Sequence, residues 1–129
     1  MTIQAGQQLQ HYRLIEKIGE GGMGVVWRAL DTTLDREVAI KFLPEAFSGE
    51  GERLARFERE AKLLASLSHP NIAGIYGLHE HEGTRFLAME MVPGEELAER
   101  IDRGPMSVAD ALGIARRIAE ALEIGRAHV

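Results

Sequence analysis

The sequence predicts an α+β fold, and three observations carry that prediction. Three runs rich in apolar and β-branched residues follow one another between residues 12 and 43, with turn residues between them. A helix-periodic segment, about residues 52–67, separates them from two more strand-like runs. Two further helix-periodic segments come last. The order β-β-β-α-β-β-α-α describes a mostly antiparallel sheet with one inserted helix, not the alternation that builds a parallel sheet.

The elements follow from local chemistry. Residues 1–11 are polar and read as a loose lead-in. Leu14, Ile15 and Ile18 run into a glycine cluster at 19–24, and Val25-Val26-Trp27 resumes the β-favouring texture. Asp31-Thr32-Thr33-Leu34-Asp35 is turn chemistry, and Glu37 to Leu43 is a third strand closed by Pro44. Residues 45–51 are a connector. In the first helix Leu54, Phe57, Ala61 and Leu64 recur at three- and four-residue spacing, which is one helical face. Pro70 ends that region and pushes His69 towards extended geometry, so His69 reads as a structural turn cap. Two strands, about 72–79 and 85–92, flank a turn at Glu80-His81-Glu82-Gly83-Thr84. A short helix over 95–103 stops at Gly104-Pro105. A longer one over about 107–122 opens with Ser107 and Asp110 in capping-box spacing, and its apolar face is Ala111, Ile114, Ala115, Ile118 and Leu122. These last two helices have apolar faces with little remaining chain to pack on.

Composition narrows the function. The chain has 129 residues, 45% of them apolar and 27% charged, which suits one globular domain or one lobe of a larger one. Fifteen Lys and Arg against twenty Asp and Glu leave a formal charge of −5, so no nucleic-acid partner is expected. The absence of cysteine excludes disulfides and thiolate metal sites and is compatible with a cytoplasmic location. The five histidines show no metal-ligand spacing. No signal peptide opens the chain and no apolar run approaches the roughly 18 residues of a membrane span, so no membrane contact is expected from this segment.

The pattern Gly19-x-Gly21-x-x-Gly24-x-Val26 fits two phosphate-binding templates. Glycine lets backbone N–H groups approach phosphate oxygens closely. The residues after the third glycine decide between the templates. A dinucleotide fold needs a helix opening at that glycine and an acidic residue about 20 positions on. Here a strand comes next, and the residue 20 positions after Gly21 is Lys41. Lys41 ends an otherwise apolar strand, so it either snorkels or faces an anion. Glu60 sits on the edge of the first helix's inward stripe, where a buried carboxylate needs a cation. Arg56 at i−4 offers a solvated partner, and Glu58 with Lys62 is a pair of that kind. The alternative pairs Glu60 with Lys41 across the sheet-to-helix contact, holding the ammonium towards two phosphates.

Together, Gly19-x-Gly21-x-x-Gly24-x-Val26, Val38-Ala39-Ile40-Lys41 and Glu60 nineteen residues beyond Lys41 resemble the small lobe of a eukaryotic-like protein kinase. Gly-Glu-Gly-Gly-Met-Gly-Val-Val-Trp at 19–27 and His69-Pro70-Asn71-Ile72 are most similar to bacterial Hanks-type serine/threonine kinases. The resemblance runs from Tyr12 to about Leu122. It implies a five-stranded antiparallel sheet with one helix over 12–92, then the hinge exit and the first two helices of an incomplete large lobe over 93–123.

It also implies site residues. Ile18, Val26 and Ala39 would wall the adenine, and Gly19, Glu20, Gly21, Gly22, Met23 and Gly24 would cover the phosphates. Lys41 would bind the α- and β-phosphates of ATP and Glu60 would hold Lys41. Met89 would be the gatekeeper, the backbone of Glu90 and Val92 would bond the adenine edge, and Glu96 would reach the ribose or simply stabilise a helix start.

The catalytic loop His-Arg-Asp-x-x-x-x-Asn, the Asp-Phe-Gly metal ligand and the Ala-Pro-Glu segment do not occur in these residues. The expected protein ligands of Mg2+ are therefore outside the segment, and the segment alone is expected to transfer no phosphoryl group. Gly125 breaks the helix periodicity, and Ile124 to Val129 resembles a translated sequencing adapter, so 124–129 reads as an artefactual tail. The resemblance leaves two functions open: the ATP-binding part of a kinase with a protein substrate, or a pseudokinase-like nucleotide-binding or scaffold module.

Overall fold

The computed structural model describes residues 3–21, 24–43 and 51–127. Six strands form one antiparallel sheet: β1 (Gln8–Leu9), β2 (Tyr12–Gly21), β3 (Gly24–Asp31), β4 (Arg36–Phe42), β5 (Ile75–His81) and β6 (Thr84–Glu90). Their order across the sheet is β1-β2-β3-β4-β6-β5. Helix α1 (Gly51–Ala65) lies between β4 and β5 in sequence, and α2 (Leu97–Asp102) and α3 (Val108–Ala127) follow β6. The α+β class is as the sequence predicts, and so is the element order from β2 onward.

Four boundaries differ from expectation. The sheet has a sixth strand, because the lead-in contains Gln8–Leu9, which pairs with Arg13 and Tyr12 and buries Leu9 completely. Two residues flanked by glutamines carry no readable alternation. The last strand ends at Glu90, so Met91 and Val92 lie beyond the ladder. Helix α3 continues through Gly125 to Ala127 rather than stopping near Leu122. A helical glycine costs only about 1 kcal/mol, which the surrounding good helix formers outweigh. The expected connector and Pro44 fall outside the described residues, apart from Gly51, which opens α1.

Strand alternation divides the sheet into two faces. Trp27, Ala29, Val38, Ile40, Phe42, Phe86 and Ala88 point to one side and join Leu9, Tyr12 and Leu14 in the core. Phe86 anchors it: its ring meets Tyr12, Phe42 and His79 at centroid distances of 5.9, 5.9 and 5.3 Å. The other side carries Val26, Ala39, Lys41, Leu87 and Met89, and this is the face on which the site is built.

Turn chemistry holds the ladders. Asp31 is buried and its Oδ1 accepts the N–H groups of Thr33 and Leu34 at 2.9 and 3.0 Å. Glu82 and Gly83 have φ of 50° and 80°, the paired positive values of a two-residue turn between His81 and Thr84. His69 caps a turn as expected: its Nδ1 accepts the Asn71 N–H at 3.0 Å. Ser107 caps α3, its Oγ accepting the Asp110 N–H at 3.1 Å. Ser107→Ala should lower the stability of α3 by about 1 kcal/mol, read as lost helicity in circular dichroism on warming; an unchanged melt would show the cap idle.

His79 gives the core an acid sensitivity. Its Nε2 lies 3.1 Å from the Tyr12 hydroxyl, and burial, then the nearby His11, holds its pKa below the ordinary 6.5. A histidine kept neutral by the fold contributes stability above the unfolded value, and that contribution is lost as pH falls from 6.5 through the folded value. The melting temperature should therefore drop more steeply below pH 6.5 in the native chain than in His79→Phe. Parallel profiles from about pH 7.5 to 5 would remove His79 from this role.

The expected face of α1 is only partly packed. Ala61 is buried, but Leu64 is 46% exposed. On α3, Val108, Leu112, Ile118 and Leu122 are exposed, Leu122 at 69%. No helix among the described residues is long and apolar enough to cross a membrane.

Candidate functional site

The site begins at the hairpin of β2 and β3. Gly21 pairs with Gly24, and Gly24 has φ 109°, a value that only glycine adopts without strain. The expected phosphate-loop residues Gly22 and Met23 lie outside the described residues. Glu20 is exposed and paired with Lys17 at 2.8 Å, which holds its carboxyl below the usual carboxylate range. Ile18 sits at a register shift of β2 and is half-exposed.

Cross-strand register then assembles two rows on one face. Gly19 pairs with Val26, Val26 with Lys41, and Lys41 with Leu87. The adjoining row runs Glu16, Arg28, Ala39, Met89 and Ile75. Val26, Ala39 and Met89 are partly buried and share this sheet face with Lys41. Arg28, the neighbouring cation, is tied to Glu16 at 3.1 Å and Glu37 at 2.6 Å, and both bonds raise its pKa. Among the described residues Lys41 has no ion pair, so it is the cation of this face that remains available to an anion.

Glu96 closes the other side. It precedes α2 and makes no capping bond with its side chain. A Cβ on Gly19 would lie 3.9 Å from its Oε1 and from Val26 Cβ, so the carboxylate stands beside the start of the glycine loop. Glu90 is fixed where β6 ends. Its N–H donates to Gly74 O at 2.8 Å, and its Oε1 accepts the Gly74 N–H at 3.0 Å. Beyond this clasp Val92 is exposed. Sequence reasoning assigned Glu90 by its backbone alone and missed this clasp. A lone carboxylate closing an apolar run was its only signal.

Glu60 is the exception. It is exposed, and among the described residues no ion pair joins it to Lys41 or Arg56. The expected inward position is corrected by the packing of α1: Glu58, not Glu60, meets the sheet, donated to by Arg85 Nη1 at 2.8 Å. Glu58 is therefore not the solvated partner of Lys62. Nothing in the sequence connects Arg85 to Glu58, which stand 27 residues apart.

Among the described residues, no group of three or more His, Asp or Glu side chains is placed to hold a metal ion. The site thus combines apolar residues, a glycine hairpin and an unpaired amine on one sheet face.

A family model for the protein kinase domain matches residues 12–125. The chain belongs to the protein kinase family. It is 43% identical over 118 residues to the serine/threonine-protein kinase PrkC of Bacillus subtilis, covering 91% of this chain and 18% of PrkC. It is 41% identical over 119 residues to a probable serine/threonine-protein kinase, PknB, of Lactococcus lactis, covering 91% and 19%. PknA of Mycobacterium tuberculosis is 42% identical over 122 residues, covering 90% and 28%. Among solved structures, the PknI kinase domain of M. tuberculosis superposes with a TM-score of 0.84 at 28% identity, covering 96% of this chain and 51% of that one. The chain thus spans less than a third of these curated relatives and about half of a solved kinase domain.

Proposed function

We propose that this segment is the ATP-binding part of a serine/threonine protein kinase, which transfers the γ-phosphoryl group of Mg-ATP to hydroxyls of a protein substrate. The observation that carries the reading is the unpaired Lys41 amine on an apolar sheet face, opposite Val26 and Leu87 and below the glycine hairpin. Ile18, Val26, Ala39 and Met89 hold the adenine by burial, and the backbone of Glu90 and Val92 orients its polar edge. The hairpin closes over the phosphates. Lys41 draws the α- and β-phosphates to a fixed position, so that binding energy is used to align the γ-phosphorus. Glu96 accepts from the ribose hydroxyls. Magnesium supplies charge neutralisation on the phosphates when bound. Among the described residues no cluster of carboxylates and histidines forms its site.

The unmade Lys41–Glu60 pair favours a second reading, a nucleotide-binding or scaffold module without transfer. The full-length protein carrying this segment separates them. Incubation with γ-labelled Mg-ATP should place label on Ser or Thr of a protein acceptor. ATP binding without any transfer would leave the scaffold reading in its place.

A further inference from the structure

Alternation along β6 decides which neighbour Glu90 faces. The Leu43 N–H donates to Arg85 O at 3.2 Å, so Arg85 turns its main-chain groups to the β4 side. Glu90, five residues on, turns its own to the β5 side. Gly74 stands opposite it there, because Ile75 pairs with Met89. In a regular antiparallel pair of this kind the two residues exchange both main-chain bonds. Half of the exchange is made: the Glu90 N–H donates to Gly74 O at 2.8 Å. In the other half the Gly74 N–H donates at 3.0 Å to Oε1 of the Glu90 side chain, and not to the Glu90 carbonyl. The carboxylate takes the place of the carbonyl in the pair, and as the charged acceptor it makes the stronger bond.

Gly74 is held from its other side. Asn71 Nδ2 donates to Arg117 O at 3.1 Å and to Glu120 Oε2 at 3.2 Å, which ties the turn before β5 to α3. Within that turn the Ile72 N–H donates to His69 O at 3.1 Å. The Gly74 N–H is therefore a fixed donor, and which oxygen of Glu90 it meets decides how the carbonyl is used.

We propose that the Glu90 carboxylate is a positioning group for base selectivity: by taking the Gly74 N–H it reserves the Glu90 main-chain carbonyl for the exocyclic amine of a bound base. This rests on the reading above in which the backbone of Glu90 meets the adenine edge, and it names the group that keeps the carbonyl available. Without the carboxylate the Gly74 N–H has no acceptor and turns to the carbonyl, which completes the regular pair and holds the carbonyl in line with the ladder. A base with an amine then loses its advantage over one without.

The test is calorimetric titration of the full-length protein carrying this segment with ATP and with purine riboside triphosphate, which has hydrogen in place of the 6-amino group. The native protein should prefer ATP about tenfold, the size of one hydrogen bond. Glu90→Ala should cut that preference to about twofold or less, through weaker binding of ATP alone. Glu90→Gln keeps an amide oxygen for the Gly74 N–H and should hold the preference within about twofold of the native value. Equal weakening of both nucleotides in the Ala variant, which a merely structural role would give, overturns the proposal, as does a Gln variant that loses as much as Ala. A native preference that survives Glu90→Ala refutes the role of the carboxylate alone. Equal binding of the two nucleotides by the native protein refutes the base contact itself, and the proposal with it.

Discussion

Lys41→Met in the full-length protein carrying this segment is expected to abolish the proposed phosphoryl transfer while leaving the fold intact. The lost interaction is with phosphate and not with the core: the Lys41 side chain lies on the sheet face opposite Ile40, Phe42 and Phe86. A hydrogen bond from a charged donor is worth about 1.5–3 kcal/mol, so ATP affinity should fall roughly ten- to a hundredfold. The loss in rate should be larger, because a misplaced γ-phosphoryl group forfeits alignment as well as binding. Arg28 does not substitute, since Glu16 and Glu37 already engage its guanidinium. Transfer at the native rate by the Met variant, with an unaltered thermal melt, would remove Lys41 from the mechanism.

The second large effect is on stability. Phe86→Ala should destabilise the small lobe by about 3–5 kcal/mol, which is a large part of the roughly 5–15 kcal/mol that typically holds a domain together. Phe86 is fully buried and its ring touches Tyr12, Phe42 and His79, so truncation opens a cavity bordered by three strands besides its own. Urea denaturation followed by Trp27 fluorescence reports it directly, since Trp27 lies in the same cluster. A loss below about 1 kcal/mol would mean that the core relaxes around the gap, contrary to its close packing.

Much of this arrangement was legible in the residues, and the reasons differ from place to place. Strands β3 and β4 could be read because Trp27, Ala29, Val38, Ile40 and Phe42 alternate with residues of the other face, and alternation is the physical signature of a half-buried strand. The Ser107 cap was readable because capping is local: the hydroxyl reaches an N–H three residues on. Which carboxylate of α1 meets the sheet was not readable. Glu58 is held at the sheet by an ion pair with Arg85, which stands 27 residues away on β6. Long-range pairs leave no periodicity. The same holds for Asn71, whose amide reaches Arg117 O at 3.1 Å and Glu120 Oε2 at 3.2 Å, tying the turn after α1 to α3. The site face was legible as a set of residues and not as a completed pair: Lys41 stands where the alternation puts it, and Glu60 does not meet it.

The central claim is that Lys41 faces the phosphates of a bound nucleotide. The chain has three lysines, Lys17, Lys41 and Lys62, so a nucleotide acyl phosphate that acylates an amine next to its phosphates offers a direct reading. Lys41 should be labelled well above Lys17 and Lys62, and excess ATP should suppress that label alone. Equal labelling of the three, or labelling of Lys41 that ATP leaves unchanged, would contradict it.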